Sequence, residues 1–136
     1  MSLPQLILDT DILSTLMRGN PLVMTKSRSY LGQYGQFTLS IITRYEILRG
    51  LKAKGAKRQA EAFDRFCEKN RILPITDGVV EQASEIYADL YKRGELISDA
   101  DILIAATAIV EGIGVVTNNE KHFRRVKGLQ VENWLK

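Results

Sequence analysis

Two kinds of apolar run alternate along this chain, short unbroken ones and longer ones spaced by three and four. Leu6-Ile7-Leu8 is of the first kind, the mark of a strand buried on both faces, and it runs straight into Asp9 and Asp11. Ile12 to Met17 then reads as a short helix, with Asp11 at its start and Gly19, Asn20 and Pro21 stopping it. From Leu22 to Tyr34, the residues Val23, Ser27, Tyr30, Leu31 and Tyr34 share one helical face, and Gly35 closes the run. Phe37–Leu39 is a second strand, and Ser40 is placed to cap a helix from Ile41 to about Lys54. Beyond Gly55 a further helix runs to Asn70. Ile72–Ile75 reads as a third strand, with Pro74 pointing to a sheet edge. Val79, Ala83, Ile86, Tyr87 and Leu90 recur at helical spacing between Asp77 and Arg93. Ser98 opens a helix over Asp99–Gly112 that is apolar nearly all round and therefore central. Gly114–Thr117 is a fourth strand, Glu120–Arg125 a helical turn, and Leu129–Val131 a short last strand.

Strands alternating with helices predict an α/β fold: a mainly parallel central sheet of about five short strands, sandwiched by helices. A chain of 136 residues is long enough to bury a core as one domain, here 1–136. With 45% hydrophobic residues, no run long enough to span a bilayer and no leader-like amino terminus, the chain is expected to be soluble. A lone Cys67 beside Phe63 and Phe66 is expected as a small core residue in a reducing cytoplasm. Trp134 and Tyr45 are expected to be packing residues.

The net charge of +3 is mild, and its distribution says more. Basic residues crowd Arg44–Arg71 and recur at Lys121, Arg124, Arg125 and Lys127, while Asp77–Asp101 is acidic. Basic flanks around an acidic focus suit a polyanion held near metal ions, although solvated helix faces give the same pattern.

On the predicted scaffold the carboxylates gather. Asp9 leaves the first strand, and Ser40, Thr43 and Glu46 step by three along one helix start. Asp99 and Asp101 open the central helix, while Thr117, Asn118, Asn119 and Glu120 follow the fourth strand. Strand ends of a parallel sheet share one edge, and the helices that follow them start there. Crowded carboxylates call for hard cations; Mg²⁺ prefers such oxygen ligands and supports phosphoryl transfer. One Cys and one His exclude a zinc site, and no phosphate-cradling glycine loop is present. The acids also have plain structural uses: Thr43-x-x-Glu46 and Ser98-x-x-Asp101 fit capping boxes, and Asp11 or Asp99 fits a cap. Asp9 has no such evident use. His122, among exposed basic residues, is expected at the surface.

Leu8-Asp9-Thr10-Asp11-Ile12-Leu13, Ser40-Ile41-Ile42-Thr43-Arg44-Tyr45-Glu46-Ile47, Asp99-Ala100-Asp101-Ile102-Leu103-Ile104-Ala105-Ala106 and Val116-Thr117-Asn118-Asn119-Glu120-Lys121-His122-Phe123, in that order, resemble PIN-domain ribonucleases. The ending, Val126 to Trp134, is similar to that of VapC toxins from bacterial type II toxin–antitoxin modules. The resemblance implies an endoribonuclease dependent on Mg²⁺ or Mn²⁺, neutralised by a cognate VapB-like antitoxin and commonly a homodimer. It implies that Asp9, Glu46 and Asp101 are the catalytic, metal-holding acids, Glu46 directly or through water, with Asp99 accessory. Thr10, Ser40 and Thr117 match polar positions bordering the site. The family usually has Asn where Asp11 stands. The fourth acid of many members falls at Asn119, leaving the Asn119 amide or Glu120 to take its place and the number of ions open. Two other readings compete: a phosphatase of the haloacid-dehalogenase type, against which Leu13 and the short chain count, and a silent PIN-like module that binds RNA or protein without cutting.

Overall fold

The computed structural model describes residues 3–136. The elements, in order, are β1 (Leu6–Leu8), α1 (Thr10–Met17), α2 (Pro21–Tyr34), β2 (Thr38–Ser40), α3 (Ile41–Ala53) and α4 (Lys57–Glu68). They continue with β3 (Arg71–Leu73), α5 (Asp77–Lys92), α6 (Asp99–Glu111), β4 (Gly114–Val116), α7 (Glu120–Phe123) and β5 (Val131–Glu132). All strand pairings are parallel, and the sheet order is β3-β2-β1-β4-β5. The α/β sandwich expected from the alternation is therefore present.

Alternation along β1 splits the core in two. Leu6 and Leu8 face Ile12, Leu13, Val23, Tyr30 and Phe63 on the side of α1, α2 and α4. Ile7 faces the opposite layer, with Val79, Ile86 and Leu90 of α5 and Ile104 and Ala105 of α6. β4 divides in the same way, Val116 to the first side and Val115 to the second. Both faces of the central strands are thus dry, which is why their sequences show no polar alternation. α6 lies centrally, as its composition predicts; Ile102 and the run Ile104–Ala108 are all buried, and small alanines let it approach the sheet closely.

Helix ends follow local chemistry. Asn20 caps α2 by accepting from Leu22 and Val23 N–H, with Pro21 at the first turn where no amide partner is needed. Gly35 ends α2 at φ 77°, a left-handed conformation that glycine adopts without a Cβ penalty. Tyr30, fully buried on α2, accepts from the Leu6 N–H and donates to the Leu6 carbonyl at 3.1 and 3.2 Å, locking α2 onto the sheet.

Several boundaries differ from the sequence reading, among them β2, which is Thr38–Ser40 rather than Phe37–Leu39. The third strand is Arg71–Leu73, at the sheet edge; its register against Thr38–Ser40 is used up before Pro74, which has no N–H to offer. The last strand is Val131–Glu132, because these residues pair with Val115 and Val116, while Leu129 packs into the core. Helix α1 begins at Thr10, two residues earlier than the apolar pattern suggests.

Candidate active site

The chain builds outward from β1 through β2 to β3, then crosses back to place β4 on the other side of β1. That reversal makes the β1/β4 boundary a topological switch point, and parallel α/β sheets bind ligands beyond the carboxyl ends of strands at such a point. Asp9 follows β1 there and Thr117 follows β4. Their side chains meet: the Thr117 hydroxyl donates to Asp9 Oδ2 at 2.5 Å.

Asp9 is only 2% exposed. Its Oδ1 accepts from the Ile12 N–H at 2.8 Å, so it is the cap of α1, a structural use that its sequence did not disclose. The expectation that Asp11 caps this helix is corrected: Asp11 is exposed, in the first turn. Burial lifts the Asp9 carboxyl from 3.8 to about 7. The Thr117 and Ile12 hydrogen bonds pull it down, and the charges of Asp11 and Asp101 add to the rise.

Asp101 stands at the third position of α6, where its N–H donates to the Ser98 cap at 3.2 Å. Its carboxyl is raised mainly by burial, then by Asp11 and Glu46, against the Ser98 hydroxyl and His122. His122, expected at the surface, has a side chain 41% exposed. Its Nδ1 lies 3.9 Å from Asp101 Oδ2 and 2.7 Å from Asn119 Nδ2. Neither periodicity nor composition marks this proximity; its one signal in the sequence is the position of His122 two residues after the Asn119–Glu120 loop.

Glu46 joins from α3. Thr10, on the first turn of α1, donates to Glu46 Oε1 at 2.7 Å and lies 3.2 Å from the Thr43 hydroxyl. Ser40, fully buried, is the cap of α3 and accepts from the Ile42 N–H. Thr43 is therefore inside the helix, and the Thr43/Glu46 capping box does not form. Asp9, Asp11, Glu46 and Asp101 are thus close enough for their charges to act on one another. Two acids fall outside this group. Asp99 is exposed in the groove between α5 and α6, beside Val80 and Tyr87. Glu120 is held at about 2 by Lys136, Arg124 and Asn133, so its carboxylate is spent on these partners.

Asp9 and Asp11 have no cationic partner within 4.0 Å among the described residues, and Glu46 has only Arg49 at 3.7 Å. This oxygen-only acidic set fits a hard divalent cation. Among the described residues, no three carboxylate, imidazole or thiol groups converge tightly enough to enclose an ion alone, so water would complete its shell.

The flanks are unequal. In the second basic cluster, Arg124, Arg125 and Lys127, just beyond α7, pair with Glu120, Glu95 and Asp89, while Lys121 has no acidic partner within 4.0 Å among the described residues. On α3 and α4, by contrast, Lys52, Lys54, Lys57, Arg58 and Arg65 have no acidic partner within 4.0 Å among the described residues. Beside Glu46 a groove of about 600 Å³ runs between α1, α3 and α4, floored by Met17, Ile47, Leu51, Phe63 and Phe66 and rimmed by Arg18 and Lys54. Cys67 and Trp134 are buried as expected, whereas Tyr45 is exposed under the Arg49 guanidinium.

The signature of the PIN domain matches residues 6–129. Ribonuclease VapC1 of Rickettsia felis is 38% identical over 130 residues, 93% of each chain. Ribonuclease VapC1 of Methanocaldococcus jannaschii is 39% identical over 74% of each. Among solved structures, VapBC2 of Rickettsia felis bound to a promoter DNA fragment aligns with TM-score 0.83 and 28% identity, over 94% of this chain and 97% of that one. The match replaces the phosphatase alternative, and the chain belongs to the PIN domain family.

Proposed function

We propose that this protein is the toxin of a type II toxin–antitoxin module, an endoribonuclease that hydrolyses RNA phosphodiester bonds with Mg²⁺ or Mn²⁺. The observation that carries it is Asp9, buried at the β1/β4 switch point beside Asp11 and Asp101 with no cationic partner of its own within 4.0 Å among the described residues. The relatives' activity, named ribonuclease, supports the same reading. When bound, the cation would supply charge neutralisation and a water of lowered pKa. Asp9 and Asp101 would hold it, with Glu46 acting directly or through water. Thr117 fixes the Asp9 carboxylate, and Thr10 fixes Glu46, so both acids are oriented before substrate arrives. The unpaired cations of α3 and α4 would follow the RNA backbone.

A VapB-like antitoxin is the expected inhibitor, since VapBC complexes share this fold. The apolar groove beside Glu46, with its basic rim, suits an apolar, acidic segment of such a partner. A homodimer in the cytoplasm completes the reading; buried, unpaired Cys67 accords with a reducing compartment, and no helix of the described residues is long and apolar enough to cross a membrane.

Cleavage of single-stranded RNA with added Mg²⁺ or Mn²⁺ tests the assignment. Asp9→Asn and Asp101→Asn should each lower the rate by a hundredfold or more, roughly the loss of one strong electrostatic contact to the transition state. Wild-type rates in both variants would remove these acids from catalysis. A wild-type protein that binds RNA without cutting it would leave the silent-module reading in place.

A further inference from the structure

We propose that His122 is a substrate-contacting residue of this site: its neutral imidazole donates the Nε2–H to a phosphate oxygen of RNA bound beside Asp101. This inference rests on the nuclease reading above and extends it.

A continuous chain of hydrogen bonds leads from the buried acid to this ring. The Thr117 hydroxyl donates to Asp9 Oδ2 and accepts from the Asn119 N–H at 2.8 Å; the Asn119 side-chain Nδ2 then meets His122 Nδ1 at 2.7 Å. An amide nitrogen can only donate, so Nδ1 is the acceptor and the ring proton sits on Nε2. Nε2 makes no hydrogen bond among the described residues, and the side chain is 41% exposed. The loop after β4 therefore presents a donor to solvent, oriented from within the site.

The position is chemically apt. An acidic pocket repels a polyanion, and the nearby arginines after α7 are committed, Arg124 to Glu120 and Arg125 to Glu95 and the Leu96 carbonyl. A Lys or Arg in place of His122 would pair with Asp101 and neutralise a carboxylate needed for the cation. With Nδ1 held 3.9 Å from Asp101 Oδ2, the ring offers its Nε2–H to phosphate and leaves the Asp101 charge intact.

His122 is the only histidine in the chain, so its imidazole nitrogens are observable without assignment ambiguity. Nitrogen NMR should show the Nε2–H tautomer in the free protein. A 2′-O-methyl oligoribonucleotide, chosen to resist hydrolysis, should shift the Nε2 signal. In Mg²⁺-dependent cleavage, His122→Ala should raise KM roughly tenfold with a smaller change in kcat, as for one hydrogen bond to a charged group. His122→Gln, which restores an N–H donor, should recover part of it. The slope of log KM against log salt should match wild type, because a neutral contact releases no counterion; a slope smaller by about 0.7 would mean a charged contact. That change, an Nδ1–H tautomer or an unchanged KM in His122→Ala would each overturn the proposal. A wild-type protein that cuts no RNA would instead sink the nuclease reading, and the imidazole response to the oligonucleotide would still report on His122.

Discussion

Asp9 serves two purposes that pull in opposite directions. As the cap of α1 it satisfies an orphan amide, yet a buried carboxylate beside Asp11 and Asp101 is costly when charged. Its carboxyl is near 7 when folded and 3.8 when free, so between those values the folded state keeps a proton that the unfolded state has lost. The resulting stabilisation is complete below about pH 4 and is lost as pH rises through 7; the raised Asp101 carboxyl acts in the same sense. In EDTA, urea unfolding should therefore show wild type less stable at pH 8 than at pH 5 by a few kcal/mol. Asp9→Asn keeps an oxygen for the Ile12 amide and should flatten that dependence. Equal stability of wild type at the two pH values would contradict the burial argument. Much at this scale was legible: Asp9 and Asp101 stand out as carboxylates at element starts, and Glu46 by its three-residue steps from Ser40 and Thr43. The roles of Thr10, Thr117 and His122 were weaker in the sequence, because a hydroxyl or imidazole signals nothing until a partner is placed against it.

Among the elements, the strands carry the most exacting steric demand. Gly114 opens β4 where an added Cβ would lie 2.9 Å from the Gln130 carbonyl oxygen and 3.0 Å from Leu6 Cδ2. Backbone cannot yield as a flexible side chain does, so Gly114→Ala should destabilise the protein by about 1–3 kcal/mol. Chemical denaturation would measure it, and a neutral result would mean that β4 and the segment before β5 can separate freely. α6 was the most readable element, since an all-round apolar helix has nowhere to go but the centre. β3 and β5 were the least readable, because three-residue and two-residue strands owe their limits to partner register rather than to their own residues.

For the molecule as a whole, the outer side of α5 is left partly apolar. Val80, Tyr87 and Tyr91 of α5 are 48%, 44% and 64% exposed, and the two tyrosine rings stack at 6.1 Å. An apolar, aromatic stripe of this kind is suited to a second copy of the chain. Light scattering at micromolar concentration should give twice the chain mass, and Tyr91→Glu should shift it toward the monomer. A monomeric wild type would dismiss this face as the dimer contact. The charge pattern also resolves at this scale. Lys52, Lys54, Lys57, Arg58 and Arg65 have no acidic partner within 4.0 Å among the described residues, whereas Arg124, Arg125 and Lys127 are spent on acids from α5, the α5–α6 loop and α7.

By itself, the sequence determined the layers and the cast. Apolar runs of three, helical periodicity and capping residues dictate a parallel α/β sandwich, because each is a local preference that no tertiary contact needed to supply. It also determined which carboxylates begin elements, and hence which can reach one edge of the sheet. Tertiary structure alone decided which of them meet. The β1/β4 crossover brings Thr117 onto Asp9 across 108 residues, and helix packing sets Thr10 against Glu46. It withdrew Glu120 into a surface network, left Asp99 in another groove and turned His122 toward Asp101. Burial then did what no composition can encode, lifting one aspartate far from its ordinary range by removing it from water.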